Sequence, residues 1–199
     1  HATIRRQRQM CIRDRFGPVD AIAITTLCSV LSLSPVVFKV ARDVEWSQAL
    51  PLSIGIIISN TVGVIFLTSA DPSFVVFGIG LFVLGSGCIL MSGFSYQGPR
   101  NRTTSVILGV ICGSVMGGFG VPSGPILVVY FLAAPITATA QRANILFPIW
   151  VMCLVTASSL GILGEIENEV LLLSCLILPF SLFGAWLGSN IFKKAPVSW

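Results

Sequence analysis

The chain has 199 residues, of which 54% are apolar and only 10% charged, where a soluble domain carries roughly 25% charged residues. Its mean hydropathy is +0.91, and the apolar residues fall in blocks of about 20, the length that crosses a bilayer core. Soluble enzymes, nucleic-acid binders and secreted disulfide scaffolds are excluded, which leaves an all-α, polytopic membrane bundle. The formal net charge of +4 comes largely from the start of the chain, where Arg5, Arg6, Arg8, Arg13 and Arg15 supply five of the 12 basic residues.

Residues 1–17 form this basic leader. A basic arm can sit on anionic lipid, but RRQRQMCIRDR reads as translated adapter sequence, so the leader is expected to be foreign to the protein. Crossings follow over 21–40, 49–69 and 74–92, and the turn Asp71-Pro72-Ser73 separates the last two. The polar linker 93–104, GFSYQGPRNRTT, divides the first-repeat helices (18–92) from the second-repeat helices (105–192), and 193–199 is a tail. The second half reads as an apolar stretch at 105–134, a crossing at 142–163, an acidic loop holding Glu165, Glu167 and Glu169, and a crossing at 170–192. That makes six crossings. Lys39, Arg42, Arg100 and Arg102 then fall on one side and Arg142, Lys193 and Lys194 on the other, which barely favours a cytoplasmic first set. A short internal repeat aligns PVDAIAITTL at Pro18 with PITATAQRAN at Pro135, as in transporters built from two related halves.

The stretch 105–134 is the informative one. Its 30 residues would make a helix of about 45 Å against a hydrocarbon core of about 30 Å. Gly117, Gly118, Gly120, Pro122, Gly124 and Pro125 crowd its middle, which predicts two half-helices, 105–116 and 124–134, with irregular backbone between them. Together the halves span roughly 34 Å, so a single crossing is expected, with 39–48 and 164–169 on the same face and the repeats parallel. Irregular backbone at membrane depth survives only where it is buried in protein or lines a wet cavity. Ser123 is a candidate N-cap, Pro125 suits a first helical turn, and free amides at the positive end of the second half-helix favour an anion. A packing kink is the competing reading, since Gly109, Gly113 and Gly117 form a small-residue face.

Arg142 could reach the same break and grip an oxyanion through two parallel hydrogen bonds; as an interfacial anchor it would instead contact headgroups. Asn144, Asn60, Thr25 and Thr26 add polar atoms, each of which also suits an interhelical hydrogen bond. Cys28, Cys88, Cys112, Cys153 and Cys175 lie in different apolar blocks without a CxxC pair, and His1 is the sole histidine. No metal site and no cofactor are expected.

The segment GGFGVPSGPILVVYFLAAPITATAQRANI resembles the second-repeat signature of the sulfite exporter TauE/SafE family of membrane permeases, and its SGP and RAN steps resemble one branch of it. AIAITTLCSVLS through ARDVEWSQALPLSIG similarly resembles the family's second helix, basic loop and third helix. The resemblance implies eight helices in two repeats, of which this sequence would hold helices two to seven, and transport of a small sulfur-containing anion such as sulfite or an organosulfonate across the cell membrane. By position it assigns Gly117, Gly118, Gly120, Ser123, Gly124 and Pro125 to the motif and Arg142 to its basic residue; Asn144 completes the substrate-binding candidates. The expected partners are the anion and the lipid bilayer, with no nucleic acid, and self-association through the glycine faces is left open. An enzyme is disfavoured because Ser123 would need a base and His1 is the only histidine. The alternative is a noncatalytic membrane subunit or scaffold assembled on Gly109/Gly113/Gly117 and Gly184/Gly188.

Overall fold

The computed structural model describes residues 17–93, 96, 98–132, 134, 136–166 and 168–194. The leader 1–16, Glu167 and the tail 195–199 lie outside the described residues. Seven α-helices follow one another among those described: α1 (Pro18–Val40), α2 (Trp46–Ser69), α3 (Pro72–Met91), α4 (Arg102–Phe119), α5 (Gly124–Leu132), α6 (Ala138–Ile162) and α7 (Asn168–Lys194). Local chemistry sets several starts. Pro18 and Pro72 occupy first-turn positions whose N–H groups would be unpaired anyway. Asp71 accepts the Ser73 N–H at 2.8 Å, and Thr137 accepts the Ala140 N–H at 3.3 Å. Helices α1 to α4 and α6 are long and apolar enough to cross a membrane, and α7 adds the apolar stretch Asn168–Gly184. The six expected crossings are thus six long helices, and α5 is an additional short one.

Cross-contacts give each helix its direction. A Cβ at Gly109 would run into the Leu52 carbonyl, one at Gly113 into Ile56, and one at Gly117 into Asn60 and Gly63. Residue numbers rise together along both helices, so α2 and α4 are parallel. Helix α6 joins them in the same direction: the Glu45 N–H donates to Asn144 at one end (2.9 Å), and Asn60 meets Met152 and Thr156 further along (both 3.0 Å). Helix α7 runs with α1, through Cys28 against Ser174 and Ser32 against Ser181. The tightest core is Leu52, Ile56, Cys112, Met116, Leu127, Tyr130, Phe131, Met152 and Cys153, built from α2, α4, α5 and α6.

These directions correct the single-crossing expectation. The chain does not continue outward after α4 but turns back, and α5 returns toward the end from which α4 started. Gly117 and Gly118 stay helical where α2 packs closely on them: backbone of Asn60 and Gly63 fills the missing side chain of Gly117, and Gly63 lies against the Gly118 N–H. The irregular backbone is therefore only 120–123, and α4, at 18 residues and about 27 Å, nearly spans a core unaided. The loops 40–45 and 163–166 accordingly lie on opposite faces, and the parallel-repeat reading falls. The aligned segments at Pro18 and Pro135 lead into α1 and α6, which run in opposite directions, as inverted halves do.

Candidate functional site

The reversal is built from one glycine and one serine. Gly120 adopts φ +67°, a left-handed conformation that costs glycine least, and its N–H closes α4 onto Met116 at 2.8 Å. Ile22 of α1 fills the space beside it. Ser123 is fully buried, and its hydroxyl donates to the Cys112 carbonyl at 2.8 Å, two turns back along α4. The side chain thus bonds α4 where the sequence predicted an N-cap, and it pins the start of α5. Because Cys112 lies ten residues after Arg102, Ser123 and Gly124 sit about 15 Å inside the bundle, close to half the thickness of a bilayer core.

The far end of α5 returns to the start of α4. Tyr96 N–H donates to the Val129 carbonyl at 3.0 Å, Arg100 Nη2 to the Tyr130 carbonyl at 3.2 Å, and Gln141 Nε2 to the Phe131 carbonyl at 2.8 Å. Three terminal carbonyls of α5 thus find donors, and the negative end of its dipole faces a guanidinium. The positive end points toward the buried Ser123, about halfway along α4.

The structure brings some of the candidate residues together and separates others. Gly120, Ser123, Gly124 and Pro125 share the turn and the start of α5. Gly117 and Gly118 lie one turn earlier inside α4, and Gly117 faces α2. Arg142 is exposed in the second turn of α6, at the level where Gln141 meets the last turn of α5, so the fold sets it at the opposite end of α5 from Ser123. Asn144 is fully buried and holds the N-terminus of α2 through Glu45. Thr25 and Thr26 bond carbonyls of their own helix, at 2.8 and 2.7 Å. Asn60 donates to Met152 and accepts from Thr156, which spends both ends of its amide on helix contacts.

The face distribution of charge is sharper than the sequence suggested. With the hairpin in place, Lys39, Arg42, Arg100, Arg102, Arg142, Lys193 and Lys194 all belong to the face where α2, α4 and α6 begin. The opposite face carries Asp20, Asp71, Glu165 and Glu169 and, among the described residues, no Lys or Arg. Two cavities flank α5, one of about 330 Å³ against α3 (Ser86, Ile89, Ser92, Pro125, Ile126, Val129) and one of about 280 Å³ against α4 (including Thr104, Leu108, Ile111 and Tyr130); both are lined mainly by apolar groups.

The family model described as "Sulfite exporter TauE/SafE" matches residues 11–199. The chain belongs to the TauE/SafE sulfite exporter family. No curated protein and no solved structure matches it. Membership and the apolar helices together make it a multi-pass protein of a membrane transporter family.

One group of residues in this TauE/SafE chain escaped the sequence. Its two tyrosines, Tyr96 and Tyr130, stack with ring centroids 5.3 Å apart, and the Arg100 guanidinium lies 5.9 and 5.6 Å from the two rings. Arg100 was visible only as a loop charge. The signal available was that both tyrosines of the chain lie on either side of the break at 120–123.

Proposed function

We propose that this chain is part of a permease that moves a small sulfur-containing oxyanion, such as sulfite or an organosulfonate, across the cell membrane. The observation that supports the reading best is the N-terminus of α5 at half depth, behind the buried Ser123 and with Gly124 half-buried, where its amides and dipole would offset part of the desolvation cost of an anion. Family membership supports the substrate class. In this reading Arg142 joins Lys39, Arg42, Arg100 and Arg102 in a basic rim that raises the local anion concentration, and Gly120, Ser123, Gly124 and Pro125 shape the inner position. Basic loops on one face support a cytoplasmic position for that face.

The test is uptake of radiolabelled sulfite and sulfoacetate by proteoliposomes of the full chain, with phosphate and chloride as controls. Saturable flux of the sulfur oxyanions above the controls is expected. Absence of flux from folded, inserted protein would favour the scaffold reading. That alternative draws on the sealed state of Ser123, though its proposed contact face Gly109/Gly113/Gly117 is already covered by α2.

A further inference from the structure

We infer that Arg100, Ser105, Tyr130 and Asn144 form a hydrated outer anion position at the basic face, one α5 length from the inner position at Ser123 and Gly124; this rests on the permease reading. Among the described residues, five buried side-chain atoms have no hydrogen-bond partner: Gln48 Oε1, Arg100 Nε, Ser105 Oγ, Tyr130 Oη and Asn144 Nδ2. Folded proteins rarely leave such atoms unpaired, and where they do, water or an ion commonly completes them. The five are not scattered. Gln48 is the third residue of α2, Ser105 the fourth of α4, Asn144 the seventh of α6 and Tyr130 the seventh of the nine in α5, while Arg100 lies two residues before α4. All therefore lie within the basic-face third of the bundle.

Contacts tie them into two groups at the same level, and the core cluster that holds both Tyr130 and Leu52, one turn after Gln48, lies between them. Gln48 Nε2 donates to Glu45 Oε2 at 3.1 Å, and the Glu45 N–H donates to Asn144 Oδ1 at 2.9 Å, so both amides meet at Glu45 and each keeps its other end unused. Ser105 and Gln48 stand one turn before Gly109 and Leu52, which touch across the parallel α2 and α4. Arg100 Nη2 bonds the Tyr96 and Tyr130 carbonyls, at 2.8 and 3.2 Å, which fixes the guanidinium beside the Tyr130 ring and leaves Nε over.

The chemistry of this set selects an anion. Four of the five unpaired groups can donate a hydrogen bond, only the Gln48 oxygen is limited to accepting, and Arg100 carries a permanent positive charge. The Glu45 carboxylate nearby is already engaged by Gln48 Nε2, and a cation would meet the Arg100 charge. A small oxyanion with a few waters would satisfy the donors, and water would serve Gln48. The nine residues of α5 separate this position from the inner one by about 14 Å, the arrangement in which successive weak sites pass an ion along without trapping it.

Tyr130→Phe and Ser105→Ala delete one hydroxyl each and keep the packing. In proteoliposomes of the full chain, each is expected to raise the KM for sulfite about five- to tenfold, the effect of one lost hydrogen bond, while the maximal rate stays within about twofold. Sulfite should also raise the melting temperature of purified wild-type protein more than equimolar chloride does, and that increment should shrink in both variants. Unchanged KM and unchanged increments in both variants would overturn the outer position. A lower maximal rate at constant KM would overturn it too, in favour of a structural role. Sulfite-specific stabilisation that both variants lose, without flux in wild type, would uphold the outer position and refute transport. Flux and stabilisation both absent would refute both.

Discussion

Two glycine-bearing regions of this bundle behave oppositely. In the α2–α4 contact, Gly55, Gly63, Gly109, Gly113 and Gly117 are each filled by backbone from the facing helix. In α3, which carries Gly78, Gly80, Gly85 and Gly87, a side chain at Gly80, Gly85 or Gly87 would meet nothing within 4 Å, and only Gly78 is occupied, by the Phe119 ring. Helix α3 has Val75 as its one buried residue, and its Phe77, Leu81 and Leu84 face outward, as apolar side chains in lipid do. A glycine count therefore does not say where helices touch. The touching pair is the one whose partner helix offers glycines at matching spacing, because only then can two backbones approach.

Substitutions sharpen that comparison, and the largest effect belongs in the tight contact. Gly109→Leu would drive a side chain into the Leu52 carbonyl and is expected to cost about 3 kcal/mol or more, read as loss of folded protein in detergent melting. Asn60→Ala, two turns along the same contact, strands the Thr156 hydroxyl and removes a bond to the Met152 carbonyl, and should cost about 1–2 kcal/mol in the same assay. Ser123→Ala loses the bond that holds α5 to α4 and should cost about 1 kcal/mol, with transport falling up to about tenfold. Gly85→Ala in α3 should be neutral or stabilising by less than about 1 kcal/mol. A large loss from Gly85→Ala, or none from Gly109→Leu, would reverse the assignment of the two faces.

The same contrast explains what the sequence disclosed. Hydropathy located the long helices within a few residues, because the length of an apolar block is a local property. The Gly/Pro cluster correctly marked a break before Ser123, but Gly117 and Gly118 were read as part of it. They pack against α2, Gly117 on Asn60 and Gly63 and the Gly118 N–H on Gly63, more than 50 positions away in the chain. Moving the break to 120–123 lengthened α4 enough to span by itself, and the single-crossing arithmetic failed with that shift. The outer polar cluster was hidden for a related reason, since Arg100 and Tyr130 meet only once α5 has turned back.

The central claim is the hairpin, because the face of every later residue depends on it. Its most direct test is cysteine labelling in a cysteine-free background, with Glu45→Cys and Glu165→Cys probed by a membrane-impermeant maleimide from each side of oriented vesicles. The structure predicts labelling from opposite sides, and the proposed orientation has position 45 reached from the cytoplasm. Labelling of both positions from the same side would mean that α4 and α5 cross the membrane only once, and would contradict the fold described for this chain.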